Sequence, residues 1–367
     1  MCPFETQVTA SSPRAPPLPW IGKNSLPTKE PQVASDSPPF RVVVIDFLDD
    51  DLAPEREVLG DLAEVTALNA SSVDELPGHI EDADALMMFH YLEVGREVLE
   101  RLNKCRLIVR CGVGFDNVDI RAARELGIPV ANIPDYGTEE VADAAIGLSL
   151  DLLRKITFLN RHLQSTTDDW HYQVALPIRR LRGMNCGVIG CGRIGTAFAL
   201  RAKAFGMNVK FYDPYLPDGA DKALGISRCE TLTELLGSSD LVSVHCPLTA
   251  ETHAMIDLET LSQMKQGAYL VNTARGSIVD HRAVLTALET GRLAGAALDV
   301  LSQEPPAQDD PVLAAWRNPE HPAHFRLILN PHSAFYSRES LLDMRTKGAQ
   351  NIRRVFTGNE PRNVINP

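Results

Sequence analysis

The sequence has no long apolar run and no excess of positive charge. No stretch approaches the ~20 apolar residues that cross a bilayer, so we expect no association with membranes. Lys and Arg number 36 against 48 Asp and Glu, which gives a formal net charge of −12. Proteins that bind nucleic acid through its phosphates need clustered Lys and Arg. The charge therefore predicts no direct nucleic-acid partner, and it implies that an anionic ligand would need a local cationic site.

The cysteines also lack the spacing of a redox motif or a structural metal site. Seven are scattered along the chain with no C-x-x-C pair, at positions 2, 105, 111, 186, 191, 229 and 246. His245 and Cys246 are adjacent, but no further ligands stand at metal spacing around them. This pattern predicts reduced thiols in an intracellular, cytoplasmic protein and no metal site.

The N-terminal segment has no apolar core of the kind found in a signal sequence. Residues 1–39 contain many Pro and Ser, and their few charges cancel. Such a composition cannot bury enough apolar surface to order the chain. We therefore predict a disordered tail over residues 1–39.

Apolar strands alternate with helical segments from residue 41 onward. Five strands are predicted at 41–46, 64–68, 84–90, 106–111 and 129–133, with helices at 94–103 and 117–126. Alternation of this kind predicts a parallel, doubly wound sheet. Within the third strand Met87, Met88 and Phe89 are predicted core residues, whereas His90, at the strand end, could face a cleft.

The centre of the chain carries a glycine-rich turn between two predicted strands. The segment 187–195 reads Gly-Val-Ile-Gly-Cys-Gly-Arg-Ile-Gly, and a helical run at 196–205 and a strand at 208–213 follow it. The pattern of strand, glycine turn, helix, strand and acidic residue is typical of a dinucleotide-binding βαβ unit. The first strand set has no such glycine triplet, so we expect one dinucleotide site.

Each glycine of this turn has a separate physical role. Gly190 permits the tight turn, Gly192 lets the backbone approach a pyrophosphate, and Gly195 allows the helix to pack closely on the strand. The N–H groups at the start of the helix attract the phosphates. Asp213 can accept hydrogen bonds from the adenosine ribose hydroxyls and would repel a 2′-phosphate, so NAD(H) is the predicted cofactor.

The remaining elements predict one domain inserted into another. A long helix from Glu139 to about Leu163, with Thr138 as N-cap, leads to the central unit. Further strands are predicted at 241–246, 268–273, 295–300 and 326–330, and a last helix at 338–356 should pack back on the first unit. The predicted fold is α/β, with two Rossmann-like or flavodoxin-like doubly wound parallel-sheet domains. The predicted boundaries are 40–136 plus 332–367 for the substrate domain and 137–331 for the NAD-binding domain.

Three polar residues follow strands of the predicted NAD-binding domain. Arg275 presents a planar fork suited to a carboxylate, and Glu304 and His332 come after the next two strands. An imidazole beside a carboxylate keeps its proton longer and can act as an acid near neutral pH. Because carboxyl ends of parallel strands meet at one edge of a sheet, we expect the three side chains to face the same cleft.

Together these motifs resemble the D-isomer-specific 2-hydroxyacid dehydrogenases, from about residue 41 to residue 358. The similarity is carried by the glycine turn and by the segments 272–276, 299–305 and 331–332. Within that family the chain is most similar to the C-terminal-binding proteins, in the segments 114–120, 200–206, 211–215, 266–276 and 295–300. Two departures are the phenylalanine at 335, where those proteins carry tryptophan, and a longer segment between Glu304 and His332.

The resemblance implies a role for particular residues. It implies that Arg275 holds the substrate, that His332 is the acid/base and that Glu304 is its partner. For the substrate it implies contacts from Arg110, Val113, Gly114, Arg275 and Phe335. For NAD(H) it implies contacts from Val113, Gly190, Cys191, Gly192, Arg193, Ile194, Gly195, Asp213, Cys246, Pro247, Thr252, Thr273, Ala274, Arg275, Asp299 and His332.

Two functions are compatible with this resemblance. The first is an NAD(H)-dependent oxidoreductase that interconverts a small 2-oxo acid and a D-2-hydroxy acid, and that forms a homodimer. A biosynthetic dehydrogenase that acts on a bulky 2-oxo acid in a specialised pathway is a subtype of this hypothesis. The second is a transcriptional corepressor of the C-terminal-binding protein type, which would use NAD(H) to stabilise a dimer, bind short peptide motifs and act in the nucleus. Family membership alone does not transfer a binding function, so the first hypothesis is preferred.

Overall fold

The structure is a computed structural model that describes residues 39–367. The predicted disordered tail, apart from Pro39, lies outside these residues. The strands are β1 Phe40–Val44, β2 Ala63–Ala67, β3 Ala85–Met88, β4 Leu107–Arg110, β5 Val130–Asn132, β6 Asn185–Ile189, β7 Asn208–Tyr212, β8 Ser227–Arg228, β9 Leu241–Val244, β10 Ala268–Asn272, β11 Leu293–Leu298 and β12 Leu327–Leu329. The helices are α1 Ala53–Leu59, α2 Arg96–Leu99, α3 Ile120–Glu125, α4 Thr138–Arg154, α5 Ile156–Ser165, α6 Arg193–Ala204, α7 Ala220–Leu224, α8 Leu232–Ser238, α9 Leu258–Gln263, α10 His281–Glu289, α11 Pro311–Arg317 and α12 Arg338–Phe356.

The first sheet is parallel, in the order β2-β1-β3-β4-β5. Its central strands are almost continuous apolar runs because both faces of the sheet are covered. Met87 and Phe89 belong to one core layer and Met88 to the layer on the opposite face, and all three are fully buried. The prediction that these residues form core is confirmed.

The last helix, α12, returns to the first sheet. Its buried face, which includes Met344, Ile352 and Phe356, belongs to the same apolar core layer as β1, β3 and β4. Arg345 on the same helix is buried and pairs with Glu55 of α1 through an Nη2–Oε2 contact of 2.7 Å. The chain therefore forms the first sheet, continues into the second, and returns to the first through α12.

The second sheet is also parallel, in the order β12-β11-β10-β9-β6-β7-β8. Helices lie on both faces and close two apolar layers. The predicted fold class, two doubly wound parallel sheets with one domain inserted into the other, is confirmed. The exact domain boundaries stay a prediction.

Several predicted helix limits are wrong. The long helix is two helices, because Lys155 adopts a left-handed conformation (φ 54°) that ends α4 and precedes α5. Gly137, not Thr138, occupies the N-cap position of α4, and Thr138 is its first helical residue. The helices expected at 94–103 and 117–126 shorten to α2 and α3, and the side chain of Asp119 caps α3.

Six of the seven cysteines lie in the described residues, and all six are free thiols. Four are buried, whereas Cys105 and Cys246 are half-buried. Burial raises the pKa of Cys246 to about 12, so it carries no thiolate near neutral pH. No described helix combines the length and the apolar character that crossing a membrane requires.

Candidate active site

The glycine turn after β6 leaves room for a ligand at the start of α6. Gly190 has φ 81°, and a Cβ there would lie 2.6 Å from the backbone N of Cys246, so only glycine fits. A Cβ at Gly195 would lie 2.0 Å from the carbonyl oxygen of Gly190, which explains the close packing of helix on strand. A Cβ on Gly192 would meet no atom within 4 Å. The backbone N–H groups after Gly192 are thus open to an anion.

Asp213 follows β7 and is held against the same turn. Its Oδ2 accepts a hydrogen bond from the backbone N of Cys191 at 2.9 Å, and Oδ1 accepts one from Tyr215 at 3.0 Å. Arg228, on the edge strand β8, donates through Nη2 to the carbonyl oxygens of Asp213 and Leu216, at 3.0 and 2.8 Å. Arg228 stands 15 positions after Asp213 in the chain, so only the fold brings the two residues together.

Other predicted cofactor contacts lie beyond β9 and β10. Cys246, Pro247 and Thr252 follow β9, and Thr252 Oγ1 donates to the carbonyl oxygen of Pro247 at 2.6 Å. Thr273 follows β10 and is buried, and its Oγ1 has no hydrogen-bond partner among residues 39–367. Ala274 follows Thr273, and Arg193 and Ile194 are the first residues of α6. An open glycine turn, a carboxylate after β7 and an unpartnered hydroxyl together fit a dinucleotide.

His245 precedes Cys246 but points into the protein. Its Nε2 lies 2.9 Å from Ser243 Oγ, and its ring packs on Phe198 with centroids 4.9 Å apart. Burial lowers the pKa of His245 to about 3, so the imidazole is neutral. His245 therefore packs against the glycine turn from inside the protein.

His332 and Glu304 form a hydrogen-bonded pair beyond β11 and β12. His332 Nδ1 lies 2.7 Å from Glu304 Oε2, and Glu304 Oε1 accepts a 2.7 Å hydrogen bond from the backbone N of Leu301. Burial acts to raise the pKa of Glu304, but the hydrogen bond and the charge of His332 outweigh it and hold that pKa below its usual value. The pair leaves His332 Nε2 free for another partner.

Asp299 fixes the turn that carries His332. Its buried carboxylate accepts hydrogen bonds from the backbone N–H groups of Ser333 and Ala334, at 3.0 to 3.2 Å. The backbone N of His332 donates to the carbonyl oxygen of Asp299 at 2.7 Å. Burial raises the pKa of Asp299. His332 itself has φ 51°, an uncommon conformation that clusters at functional sites. The predicted cofactor contact of Asp299 stays a prediction.

Arg275 lies between the two sheets. Its Nε donates to both carboxylate oxygens of Asp116, in the loop after β4, at 3.0 and 3.2 Å. Its Nη1 donates to the carbonyl oxygen of Ala274 at 2.8 Å. A Cβ on Gly114 would lie 1.4 Å from Nη2, so the guanidinium rests directly over that glycine. Burial opposes ionisation of Asp116, yet the charge of Arg275 keeps the pKa of that carboxyl below its usual value.

Arg110, a predicted substrate contact, is buried at the end of β4. Its Nη1 donates to the carbonyl oxygen of Cys111 at 3.0 Å, and its Nε donates to Asn117 Oδ1 at 3.3 Å. The neighbouring Val113 accepts a 2.7 Å hydrogen bond at its carbonyl oxygen from Asn132 Nδ2. Hydrogen bonds from Arg110 on β4 and Asn132 on β5 therefore hold the loop after β4 in place.

A cavity of about 160 Å³ collects most of these side chains. Arg110, Arg275, Glu304 and His332 all line it, as expected for residues at the carboxyl ends of strands. Phe335 packs edge-on beside the cavity, with its ring centroid 6.2 Å from that of His332. The other lining residues, for which sequence reasoning assigned no catalytic or binding role, are His90, Asp116, Asn117, Leu248, Gly276, Ser277, Val300, Leu301 and Ser302.

Comparison with known proteins identifies the family of this chain. Residues 146–334 match the family model described as D-isomer specific 2-hydroxyacid dehydrogenase, NAD binding domain. The chain belongs to this family. It contains the family's NAD-binding domain, and that domain includes the glycine turn and the segments that carry Arg275, Glu304 and His332.

Two curated relatives with different functions in their names are equally similar to this chain. It is 36% identical over 323 residues to C-terminal-binding protein 1 of Caenorhabditis elegans, covering 86% of this chain and 43% of that protein. It is also 36% identical over 326 residues to D-3-phosphoglycerate dehydrogenase of Methanocaldococcus jannaschii, covering 89% of this chain and 59% of that protein. The chain thus spans about half the length of these relatives.

A solved structure matches the fold along nearly its whole length. D-lactate dehydrogenase from Aquifex aeolicus, complexed with NAD and lactic acid, superposes with a TM-score of 0.78 at 30% identity. The match covers 87% of this chain and 96% of that one.

Proposed function

We propose that the chain is an NAD(H)-dependent oxidoreductase that interconverts a 2-oxo acid and a D-2-hydroxy acid. The observation that carries the proposal is the pair of His332 and Glu304 in one cavity with Arg275. An acid/base imidazole and a carboxylate-binding guanidinium are the two protein groups that this reaction needs. The relatives named as dehydrogenases and the solved structure with NAD and lactic acid support the same activity.

Arg275 would bind the substrate carboxylate. Its Nη2 lies over Gly114 at the cavity, and the buried charge of Arg110 adds to the attraction for an anion. A planar fork fixes the orientation of a carboxylate as well as its position. The adjacent carbonyl group would then lie toward His332.

His332 would move the proton. Because Nδ1 is bonded to Glu304, Nε2 is the atom that would donate to the developing alkoxide during reduction and accept the proton during oxidation. Glu304 orients the ring through the hydrogen bond at Nδ1. Asp299 holds the backbone turn on which the ring is mounted.

NAD(H), when bound, supplies or accepts the hydride at the substrate carbon. The residues suited to hold it are the glycine turn, Asp213 and the unpartnered hydroxyl of Thr273. Asp213 favours NAD(H) over its 2′-phosphorylated form, because like charges repel. Purified protein should oxidise NADH when supplied with a panel of 2-oxo acids, and chiral analysis should identify the product as the D isomer.

A homodimer is part of the same proposal. Four large apolar side chains in and after α5 are exposed, with Trp170 at 74% and Tyr172 at 71%. Ile156 and Leu176 are 58% and 57% exposed. Exposed apolar groups concentrated in one segment are typical of an interface. Sedimentation of the wild-type chain and of Trp170→Ser should distinguish a dimer from a monomer.

The C-terminal-binding protein relative favours a second candidate function. Under it the chain is a dimeric corepressor that senses NAD(H), and its partners are short peptide motifs. A full-length protein that binds NADH and such a peptide, with no turnover of any 2-oxo acid, would support this alternative.

A further inference from the structure

His90 lines the cavity beside His332. It follows β3 at the carboxyl edge of the first sheet, and its ring centroid lies 5.4 Å from that of His332. On its other side the ring packs against Phe47 at 5.2 Å and Tyr91 at 4.5 Å. Phe335 approaches it edge-on at 6.0 Å. Aromatic side chains therefore hold the imidazole of His90 in place, and the same ring lines the cavity.

The ring nitrogens of His90 have no hydrogen-bond partner among residues 39–367, although neighbouring polar groups are engaged. Asn117 donates to the carbonyl oxygens of Phe89 and Leu92 and accepts from Arg110. Both oxygens of Glu304 are also occupied. A polar ring that the protein leaves unpaired in a substrate-sized cavity is available to a ligand.

The charge state of His90 limits what it can recognise. Burial first, and then the charges of His332 and Arg110, lower the pKa of His90 to about 3. The ring is therefore neutral near neutral pH, with one nitrogen as donor and the other as acceptor. A hydroxyl, which both donates and accepts, matches such a ring better than a second anionic group does.

We propose that His90 is a specificity-determining residue that hydrogen-bonds a neutral polar substituent, such as a hydroxyl, on the carbon chain of the 2-oxo acid. The inference rests on the proposed dehydrogenase function and deepens it. Arg275 and His332 would bind the carboxylate and the carbonyl oxygen, which every 2-oxo acid has. His90 would contact the side chain, which differs between substrates. The proton that moves in the reaction stays with His332.

Two substrates of nearly equal size test this role. Hydroxypyruvate and 2-oxobutyrate differ by a terminal hydroxyl in place of a methyl group. The wild-type protein should show the higher kcat/KM for hydroxypyruvate. His90→Phe removes both ring nitrogens and keeps an aromatic ring, so the ratio of the two kcat/KM values should fall about 10-fold or more, chiefly through hydroxypyruvate.

Two further variants control for damage to the fold. His90→Asn retains one donor and one acceptor and should restore part of the ratio. Tyr91→Phe changes the neighbouring residue, whose side chain is 63% exposed and does not line the cavity, so the ratio should stay at the wild-type value. NADH affinity should be unchanged in all three variants.

An unchanged ratio in His90→Phe, or an equal loss with both substrates, overturns the inference and leaves the dehydrogenase intact. A wild-type protein that reduces no 2-oxo acid at all overturns the proposed function, and this inference with it. The two failures are therefore distinguishable in one set of assays.

Discussion

Arg275 and Asp116 form an ion pair that joins the two sheets. The Nε of Arg275, beyond β10, donates to both oxygens of Asp116, beyond β4, at 3.0 and 3.2 Å. The Nη2 of the same guanidinium remains at the cavity over Gly114. A substrate carboxylate that binds Arg275 would therefore bind a group whose position depends on both sheets.

Arg275→Ala should weaken both substrate binding and turnover. The side chain would hold the carboxylate in the ground state and align the carbonyl for reaction, so KM should rise and kcat should fall. Arg275→Lys retains the charge without the planar fork and should recover only part of the loss. Steady-state kinetics with a confirmed substrate measure both effects. If Arg275→Ala keeps the wild-type KM and kcat, Arg275 does not bind the substrate carboxylate.

His332→Ala should lower kcat by roughly 100-fold or more while leaving NADH binding nearly intact. The imidazole acts on the substrate oxygen, so the dinucleotide loses little from its removal. Stopped-flow turnover and fluorescence titration with NADH give the two quantities. The exposed His79, changed to Ala, is the matched control and should behave as wild type. Full turnover in His332→Ala would mean that another group supplies the proton.

Glu304→Gln should lower kcat while leaving NADH binding nearly intact. Burial opposes ionisation of Glu304, but the hydrogen bond and the charge of His332 hold the pKa of that carboxyl below its usual value, so Glu304 is the ionised partner of His332 Nδ1 at neutral pH. Glutamine keeps an acceptor oxygen but removes the charge, so the hydrogen bond that orients the ring is weaker. The log kcat/KM profile of the wild type should fall only as the pH drops below the ordinary range of a glutamate, and the variant should lack this limb. A wild-type rate and profile in Glu304→Gln would contradict the role of the pair.

Asp213 should make NADH bind more tightly than NADPH, by ~2 kcal/mol or roughly 30-fold. NADPH bound at the glycine turn would bring its 2′-phosphate near the Asp213 carboxylate, and the guanidinium of Arg228 is engaged with loop carbonyls. Asp213→Asn should narrow the difference in affinity, whereas Asp82→Asn, at an exposed site between β2 and β3, should not. Equal affinities of the wild-type protein for NADH and NADPH, measured by fluorescence titration, would refute the assignment.

Phe335 should give the wild-type protein a preference for branched or aromatic 2-oxo acids over pyruvate and glyoxylate. The phenyl ring of Phe335 lies beside His332 and is smaller than an indole, so it would leave more room for the substrate side chain than tryptophan would at this position. Buried apolar area contributes ~25 cal/mol per Å² to binding. Phe335→Trp should shift the preference toward smaller substrates. The measurement is kcat/KM for a series of 2-oxo acids of increasing size. The prediction is wrong if Phe335→Trp leaves the order of these values as it is in the wild type.

The sequence could predict the strands better than the helix limits. Strands buried on both faces are short apolar runs bounded by polar residues, and every predicted strand overlaps an observed one. The break between α4 and α5 could not be predicted, because a lysine in the left-handed conformation gives no local signal. The missed strand β8 has two residues and lies at the sheet edge.

For the site, the sequence predicted residues at strand ends and missed their long-range partners. Arg275 and His332 could be placed because parallel strands end at a common edge. Asp116 stands 159 positions before Arg275, so the pair exists only once both sheets have formed. His90 lay at a strand end and could be suspected, but its packing against His332 depends on the return of the chain to the first sheet.

The most direct test of the proposed activity is NADH oxidation by the wild-type full-length protein and by His332→Ala, against a panel of 2-oxo acids with chiral analysis of the products. We expect the wild-type protein to reduce at least one of them to the D-2-hydroxy acid, and His332→Ala to do so roughly 100-fold more slowly with unchanged NADH affinity. If the wild-type protein binds NADH and dimerises but reduces none of the acids, the dehydrogenase assignment is wrong and the corepressor function takes its place.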